Sequence, residues 1–240
     1  QLPQATARID SGVEEGQEIT PFYDPMIAKI ITGGATRAEA LGAMRAALKD
    51  TRVAGLETNA QFLHALAAEP DFINGDVSTR FIDEHEASLF PNREADSRVW
   101  AAALVSHHME ARKDCGADPW ESLTGFRLNR PQKAVYWLTI NDDAALATLN
   151  KTSDGVDVMI EPDAAAAARR EGRKLQAPIK FSFSGGPDKS GALRLNVDGN
   201  SFTADTAAHH SALRIWIGAD HWDVAFPDPL AGLSAHHSSE

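Results

Sequence analysis

The chain is poor in cysteine, in cationic residues and in long apolar runs. Cys115 is the one cysteine among 240 residues. No disulfide can form within the chain, and a reducing compartment is the natural setting. Cys115 sits in the polar stretch Arg112-Lys113-Asp114-Cys115-Gly116-Ala117-Asp118. It reads as an incidental thiol, because an activated thiolate needs a base beside it. Lysine and arginine number 23 against 34 acids, giving a net charge of -11, and the basic residues are scattered. A nucleic-acid groove needs a positive stripe, and an anionic membrane surface attracts basic clusters, so both classes of partner are excluded. The longest apolar run, residues 99–105, falls far short of the roughly 18 residues that read as a bilayer span. An initiator methionine and an N-terminal signal pattern are also missing. The expectation is a segment internal to a longer protein.

What is present divides into two regions. Hydrophobic residues make up 43% of the chain, enough for a packed core, and the length suits one large or two ordinary domains. Near residues 84–97 the composition turns charged and aperiodic and includes Pro91, which reads as a connection.

The first region mixes strand and helix. Residues 7–11 and 27–32 look like strands, the second rich in isoleucine and closed by Gly33-Gly34. Thr36 with Glu39 three residues on forms a capping box. Ala40, Leu41, Met44, Ala47 and Leu48 then recur at helical spacing. Thr58 or Asn59 caps a second helix with Phe62, Leu63 and Leu66 on one face, and Pro70 is expected to stop it. A short helix is expected over residues 79–85.

The second region opens on Ser97-Arg98-Val99-Trp100-Ala101-Ala102-Ala103-Leu104-Val105, rich in strong helix formers. After Arg98 its first two turns are apolar nearly all round, so protein should surround it. Only from Ser106 does it turn polar. Strands follow at 125–129, 133–141, 145–150, 156–161, 180–184, 192–198, 201–206, 213–218 and 222–226. Leu193-Arg194-Leu195-Asn196-Val197-Asp198 alternates with period two, the mark of a sheet with one wet face. Asp154-Gly155 and Asp198-Gly199 read as hairpin turns in which glycine tolerates positive φ. The segment 162–171, with its run of alanines, reads as a helical insertion. The fold class is therefore α+β: a mixed N-terminal unit, then an antiparallel barrel of about eight strands closed around a central helix.

Particular motifs carry a resemblance. Ile19-Thr20-Pro21-Phe22-Tyr23-Asp24-Pro25-Met26-Ile27-Ala28-Lys29-Ile30-Ile31, Thr36-Arg37-Ala38-Glu39-Ala40, Gly55-Leu56-Glu57-Thr58-Asn59 and Phe72-Ile73-Asn74-Gly75 follow in order. Together they resemble the C-terminal part of biotin carboxylase, spanning 1–86, with 87–97 as linker. Asp118-Pro119-Trp120, Gly125-Phe126-Arg127-Leu128-Asn129 and Phe226-Pro227-Asp228-Pro229-Leu230 resemble the domain that joins biotin carboxylase to carboxyltransferase (the BT domain), here 98–230. Residues 231–240 read as a linker toward a biotin carrier domain. The set is most similar to α subunits of the methylcrotonyl-CoA carboxylase type.

The resemblance implies a ligase that uses ATP, magnesium and bicarbonate to carboxylate biotin, for transfer to an acyl-CoA on a carboxyltransferase β subunit. The glycine-rich ATP loop, the magnesium ligands and the biotinyl lysine match no residue here. This chain is therefore expected to be inactive alone, to bind none of these cofactors, and to serve subunit docking. The implied location is cytoplasmic, or the mitochondrial matrix in a eukaryote, and the implied pathway is leucine catabolism. Tyr23 and Asp24 match a pair lining the biotin and bicarbonate pocket, where a carboxylate orients arginines; Asp24 also reads as a turn before Pro25. Thr79 matches a position near the adenine, or caps a helix. Arg8 matches a dimer-contact arginine, yet Ala5 and Ala43 replace two other contact side chains, which favours docking through the connector. Trp120 and Arg127 are the expected subunit contacts. Rival readings are a propionyl-CoA type carboxylase and an independent small-molecule-binding barrel.

Adjacent histidines at 107–108, 209–210 and 236–237 do not suggest a metal centre: neighbours on a helix diverge, and His107 with Glu110 lacks matching acids on other helices. The segment Gly185-Gly186-Pro187-Asp188-Lys189-Ser190-Gly191 lacks phosphate-loop spacing and reads as a hairpin loop. The five tryptophans read as core and interface anchors.

Overall fold

The computed structural model describes residues 7–20, 22, 26–91, 94–113, 133–141, 143–162, 178–209 and 212–227. The chain divides into two compact units, one built mainly from Gln1–Arg93 and the other mainly from Glu94–Ile217 and His221–Glu240.

In the first unit, β1 (Arg8–Ser11) and β2 (Ala28–Ile31) pair antiparallel, Arg8 opposite Ile31. Helix α1 (Arg37–Asp50) starts where the capping box predicts: Thr36 Oγ1 accepts the Glu39 N–H. The return bond differs, since Glu39 Oε2 accepts from Ala35 N–H at 2.9 Å, one residue earlier than the box requires. Helix α2 (Ala60–Leu66) ends before Pro70, and Asn59 caps it without a side-chain hydrogen bond. Pro70 does not stop that helix. It opens α3 (Pro70–Asn74) at the first helical position, where a missing N–H costs nothing. Gly75 ends α3 in the left-handed region. The expected helix over 79–85 is shorter, α4 (Phe81–Glu84), and α5 (Glu86–Leu89) follows within the stretch read as linker. Ala47, Leu48, Ala67, Phe81 and Leu89 are its buried apolar residues.

The second unit bears out the barrel. Asp96 Oδ1 accepts the Arg98 and Val99 N–H groups and so caps α6 (Ser97–Lys113). Eight strands then meander: β3 (Lys133–Ile140), β4 (Asp143–Lys151), β5 (Val156–Pro162), β6 (Ile179–Pro187), β7 (Leu193–Val197), β8 (Asn200–His209), β9 (Ala212–Ile217) and β10 (Asp220–Ala225). The strand pairings among the described residues are antiparallel, and β10 closes the barrel on β3 through Val224 opposite Ile140. The strand expected at 125–129 and residues 163–171 of the expected helical insertion lie outside the described residues; Pro162, its expected first residue, ends β5 instead.

Residues 99–104 are buried without a break, in one cluster with Leu138, Ile160, Phe181, Leu195, Ile215 and Val224 from the strands. A helix buried on every face inside a closed barrel explains why its sequence shows no amphipathic stripe. Burial runs one residue further than the composition implies: Ser106 is also buried, its hydroxyl donating to the Ala102 carbonyl at 2.8 Å. Asp198 and Gly199 both take positive φ, 48° and 86°, as a two-residue hairpin between β7 and β8 requires. At Gly155 the reason is different from the expected one. Its φ is not in that region; a Cβ there would stand 2.4 Å from the Phe183 carbonyl oxygen, so glycine permits close strand approach.

Candidate functional site

The residues singled out from sequence do not gather into one site among the described residues. Tyr23, Asp24, Trp120 and Arg127 lie outside them, as does Cys115. Phe22, their neighbour, is 91% exposed. Arg8 lies exposed on β1, and its guanidinium holds Asp10 through Nε–Oδ1 at 2.9 Å and a second bond at 3.2 Å. Each partner favours the other's charged form: the hydrogen bond raises Arg8 and lowers Asp10. Ala43 lies partly buried in α1. Thr79 is exposed in a turn just before α4, and the cap of α4 is Arg80, so Thr79 is not its N-cap.

Among the described residues, polar and aromatic side chains gather around His85, around Arg214 and around His107. In the first unit, His85 sits where α4 meets α5. Its Nδ1 is 3.0 Å from the Phe81 carbonyl, and its Nε2 is 3.1 Å from Asp71 Oδ2 and 3.8 Å from Glu69 Oε1. Ser88 Oγ donates to Glu69 Oε2 at 2.8 Å. The serine faces the Glu69 carboxylate and the His85 carbonyl rather than the imidazole, so the two do not form a serine–histidine pair.

In the barrel, Leu213, Ile215 and Ile217 of β9 pack on the core, so Arg214 and Trp216 project from the opposite face. Both are nonetheless buried, Arg214 at 2% exposed. Arg214 forks onto Asp223, Nε to Oδ1 at 2.7 Å and a second N–H to Oδ2 at 2.5 Å. His209 Nε2 lies 3.3 Å from the same carboxylate. Burial pushes the Asp223 carboxyl up, but Arg214 and His209 outweigh it and hold the group below its ordinary value. Asn141 joins through backbone and side chain, linking β10 to the turn after β3. A bidentate pair of this kind, its guanidinium buried and its carboxylate 34% exposed, ties β9 to β10.

The third cluster lies along α6. His107 stacks on Phe226, centroids 3.8 Å apart and planes 12° apart, with Tyr136 edge-on at 5.2 Å. Burial, then the neighbouring His108, pushes His107 below its ordinary value.

Of the tryptophans described, Trp100, Trp216 and Trp222 are buried, and Trp137 is 43% exposed. Trp137 and Val135 project outward from β3, opposite the core residue Leu138, beside Leu146 of β4. Sequence reasoning missed this patch. The signal was available: Val135-Tyr136-Trp137-Leu138-Thr139-Ile140 is apolar on both faces of one strand, which alternation with a wet face does not produce. Among the described residues, no group of three His, Cys, Asp or Glu is placed to hold a metal ion, and no helix is long and apolar enough to cross a membrane.

Residues 1–84 match the family of the biotin carboxylase C-terminal domain. Over most of its length the chain is homologous to carboxylase α subunits. It is 42% identical over 242 residues to methylcrotonoyl-CoA carboxylase subunit alpha, mitochondrial, of Oryza sativa subsp. japonica, covering 90% of this chain and 31% of that protein. The same-named protein of Arabidopsis thaliana is 28% identical over 261 residues, covering 98% and 35%. The propionyl-CoA carboxylase alpha chain of Ruegeria pomeroyi (strain ATCC 700808 / DSM 15171 / DSS-3) is 45% identical over 111 residues, covering 45% and 16%. The chain thus spans about a third of the length of the first of these relatives.

Proposed function

We propose that this chain is the joining region of a biotin-dependent acyl-CoA carboxylase α subunit of the methylcrotonyl-CoA type. Its first unit ends the biotin carboxylase, and its barrel is the BT domain that docks the carboxyltransferase β subunit. The observation that carries the reading is the closed barrel filled by α6, directly following a biotin carboxylase C-terminal domain. A barrel whose interior is occupied by its own helix presents its outer surface and loops to partners, which disfavours the small-molecule-binding rival.

Docking works here through effective concentration: joining the biotin-loading and biotin-consuming sites at fixed spacing lets one carrier arm reach both. On this reading Trp120 and Arg127 contact the β subunit, Tyr23 and Asp24 line the biotin and bicarbonate pocket, and Thr79 stands near the adenine. Arg8 belongs to a contact surface that Ala5 and Ala43 leave without its other anchors, so assembly runs through the barrel. Biotin, ATP and magnesium serve the whole enzyme. No ligand set for them is assigned to this chain, which is inactive alone, and the cytoplasm or mitochondrial matrix is its setting.

The test is co-elution by size exclusion with light scattering, using methylcrotonyl-type and propionyl-type carboxyltransferase subunits separately. A stable complex with the first alone supports the proposal. A complex with the second alone moves the substrate branch to propionyl-CoA, the reading that similarity over residues of the Ruegeria pomeroyi relative keeps open. Binding to neither by a folded chain removes the docking role, and a ligand screen then tests the binding-barrel rival.

A further inference from the structure

His85 terminates α4 and begins α5, capping both. Its two ring nitrogens face two different acceptors, the Phe81 carbonyl at 3.0 Å and the Asp71 carboxylate at 3.1 Å. Neither a carbonyl nor an ionised carboxylate can donate, so each nitrogen must carry a proton to form its bond. Both bonds coexist only in the imidazolium. A neutral ring surrenders one of them and turns a lone pair toward oxygen. The ring also lies flat on Phe81, centroids 4.3 Å and planes 16° apart, a position in which a cation is attracted.

The two acceptors bracket a loop. Asp71 is in the first turn of α3 and Phe81 is the first residue of α4, so residues 72–80 run between them. The bonds of that loop are local: Asp76 N–H to the Asp71 carbonyl, Arg80 N–H to Ser78 Oγ, and Ser78 Oγ to Glu84 Oε2. Arg37 holds only the α3 end, donating to the Phe72 and Ile73 carbonyls. His85 hydrogen-bonds to both ends at once.

We propose that His85 is a positioning residue, a cationic pin whose protonation closes the loop 75–80 and whose deprotonation releases it. The groups facing it are Glu69 and Asp71 from the α3 side. Asp83, Glu84 and Glu86 are its neighbours in the chain, Glu84 being engaged by Ser78 and Arg80, and His64 lies on α2, which packs on α5. The bond to the Phe81 carbonyl, against opposing burial and with help from Asp71 and Glu69, holds its titration above the ordinary value of 6.5. A raised histidine stabilises fully below that value and loses its contribution as pH rises through the folded one. The pin stands on these hydrogen bonds and is independent of what Thr79 faces.

The test is NMR on the full 240-residue chain, from about pH 6 to about 9. It follows the His85 ring nitrogens and the amide exchange of residues 75–80, corrected for intrinsic rates. The expected result is two protonated ring nitrogens at the low end, a midpoint above 6.5, and loop protection falling several-fold along the same curve. Asp71→Asn keeps an acceptor but removes the charge, so midpoint and protection curve should move down together. His85→Gln should abolish the step and leave the loop exchanging at the high-pH rate throughout. A His85 midpoint at or below 6.5, or protection that ignores the midpoint in the wild-type chain, overturns the proposal without needing any variant to fold.

Discussion

The two units solve the same problem, burying enough apolar surface to hold a fold, with very different completeness. The barrel closes on itself, so no strand edge is left open, and α6 supplies the interior that eight short strands alone would leave hollow. The first unit has, among its described residues, a two-stranded sheet of four residues per strand, the 14-residue α1 and four helices of four to seven residues. Neither a lone pair of strands nor helices this short are stable by themselves. It exposes Phe22, Met26, Ile31, Val77, Ile82 and Phe90 while burying few side chains fully. The barrel's stability thus resides in one cooperative core, whereas the first unit depends on local devices: caps, the Arg37 clamp and the His85 pin.

The comparison breaks first if core substitutions fail to divide the units. Leu104→Ala, at the centre of the barrel and 1% exposed, should destabilise it by about 2–5 kcal/mol. Ile82→Ala, half exposed on α4, should cost within about 0.5 kcal/mol. Chemical denaturation followed by tryptophan fluorescence reads the first, since all the tryptophans belong to residues 98–230; circular dichroism reads the second. Equal losses would mean that the first unit has a core as cooperative as the barrel's.

Next in size is Asp223→Ala. It strips the bidentate partner from a guanidinium that is 2% exposed, and a buried charge that loses such a partner is costly, about 3 kcal/mol here. Acid should mimic it. The Asp223 carboxyl is held below its ordinary value of 3.8; its contribution is full above that value and is lost as pH falls through the lower folded one. An Asp223→Ala chain whose denaturation midpoint matches the parent's would show that Arg214 does not need this partner. A smaller step tests strand approach: Gly155→Ala should cost about 1–3 kcal/mol, because the new methyl meets the Phe183 carbonyl and one backbone must shift. A neutral result would mean that the hairpin between β4 and β5 gives way easily.

Much of the barrel was legible because its rules are local and periodic. Alternation in Leu193-Arg194-Leu195-Asn196-Val197, the Asp198-Gly199 turn and the all-round apolar start of α6 each specify one element, and closure follows from burying them together. The first unit was legible in its motifs but less so in its boundaries. Pro70 looked like a stop and is a start, because proline serves either purpose and only the chain beyond decides. Asp96 passed as linker although it caps α6, since a charged aperiodic stretch hides a single capping residue. The clusters were least legible. His85 gains its partners from Asp71 and Glu69 across the loop, and Arg214 meets Asp223 across a hairpin, so neither pair has a spacing to recognise in advance.

The smallest expected effect is also the one that sets the two units against each other. His107 lies half-buried between Phe226 and Tyr136, and burial, with His108 adding to it, holds its titration below 6.5. Stacking on Phe226 gives an imidazolium some attraction, but desolvation acts on the whole charge and prevails. The folded barrel therefore prefers the neutral ring. As pH falls below 6.5 the unfolded chain binds a proton that the folded chain resists, and barrel stability declines until the folded value is passed. His85 runs the other way, strengthening its unit on acidification. Between about pH 8 and about pH 5, amide exchange should therefore slow in residues 75–80 while it quickens where α6, Tyr136 and Phe226 meet. His107→Phe keeps a stacked ring and removes the titration, so its barrel should lose this part of the acid sensitivity with little change at neutral pH. If the parent and the variant weaken equally on acidification, His107 is not the group responsible.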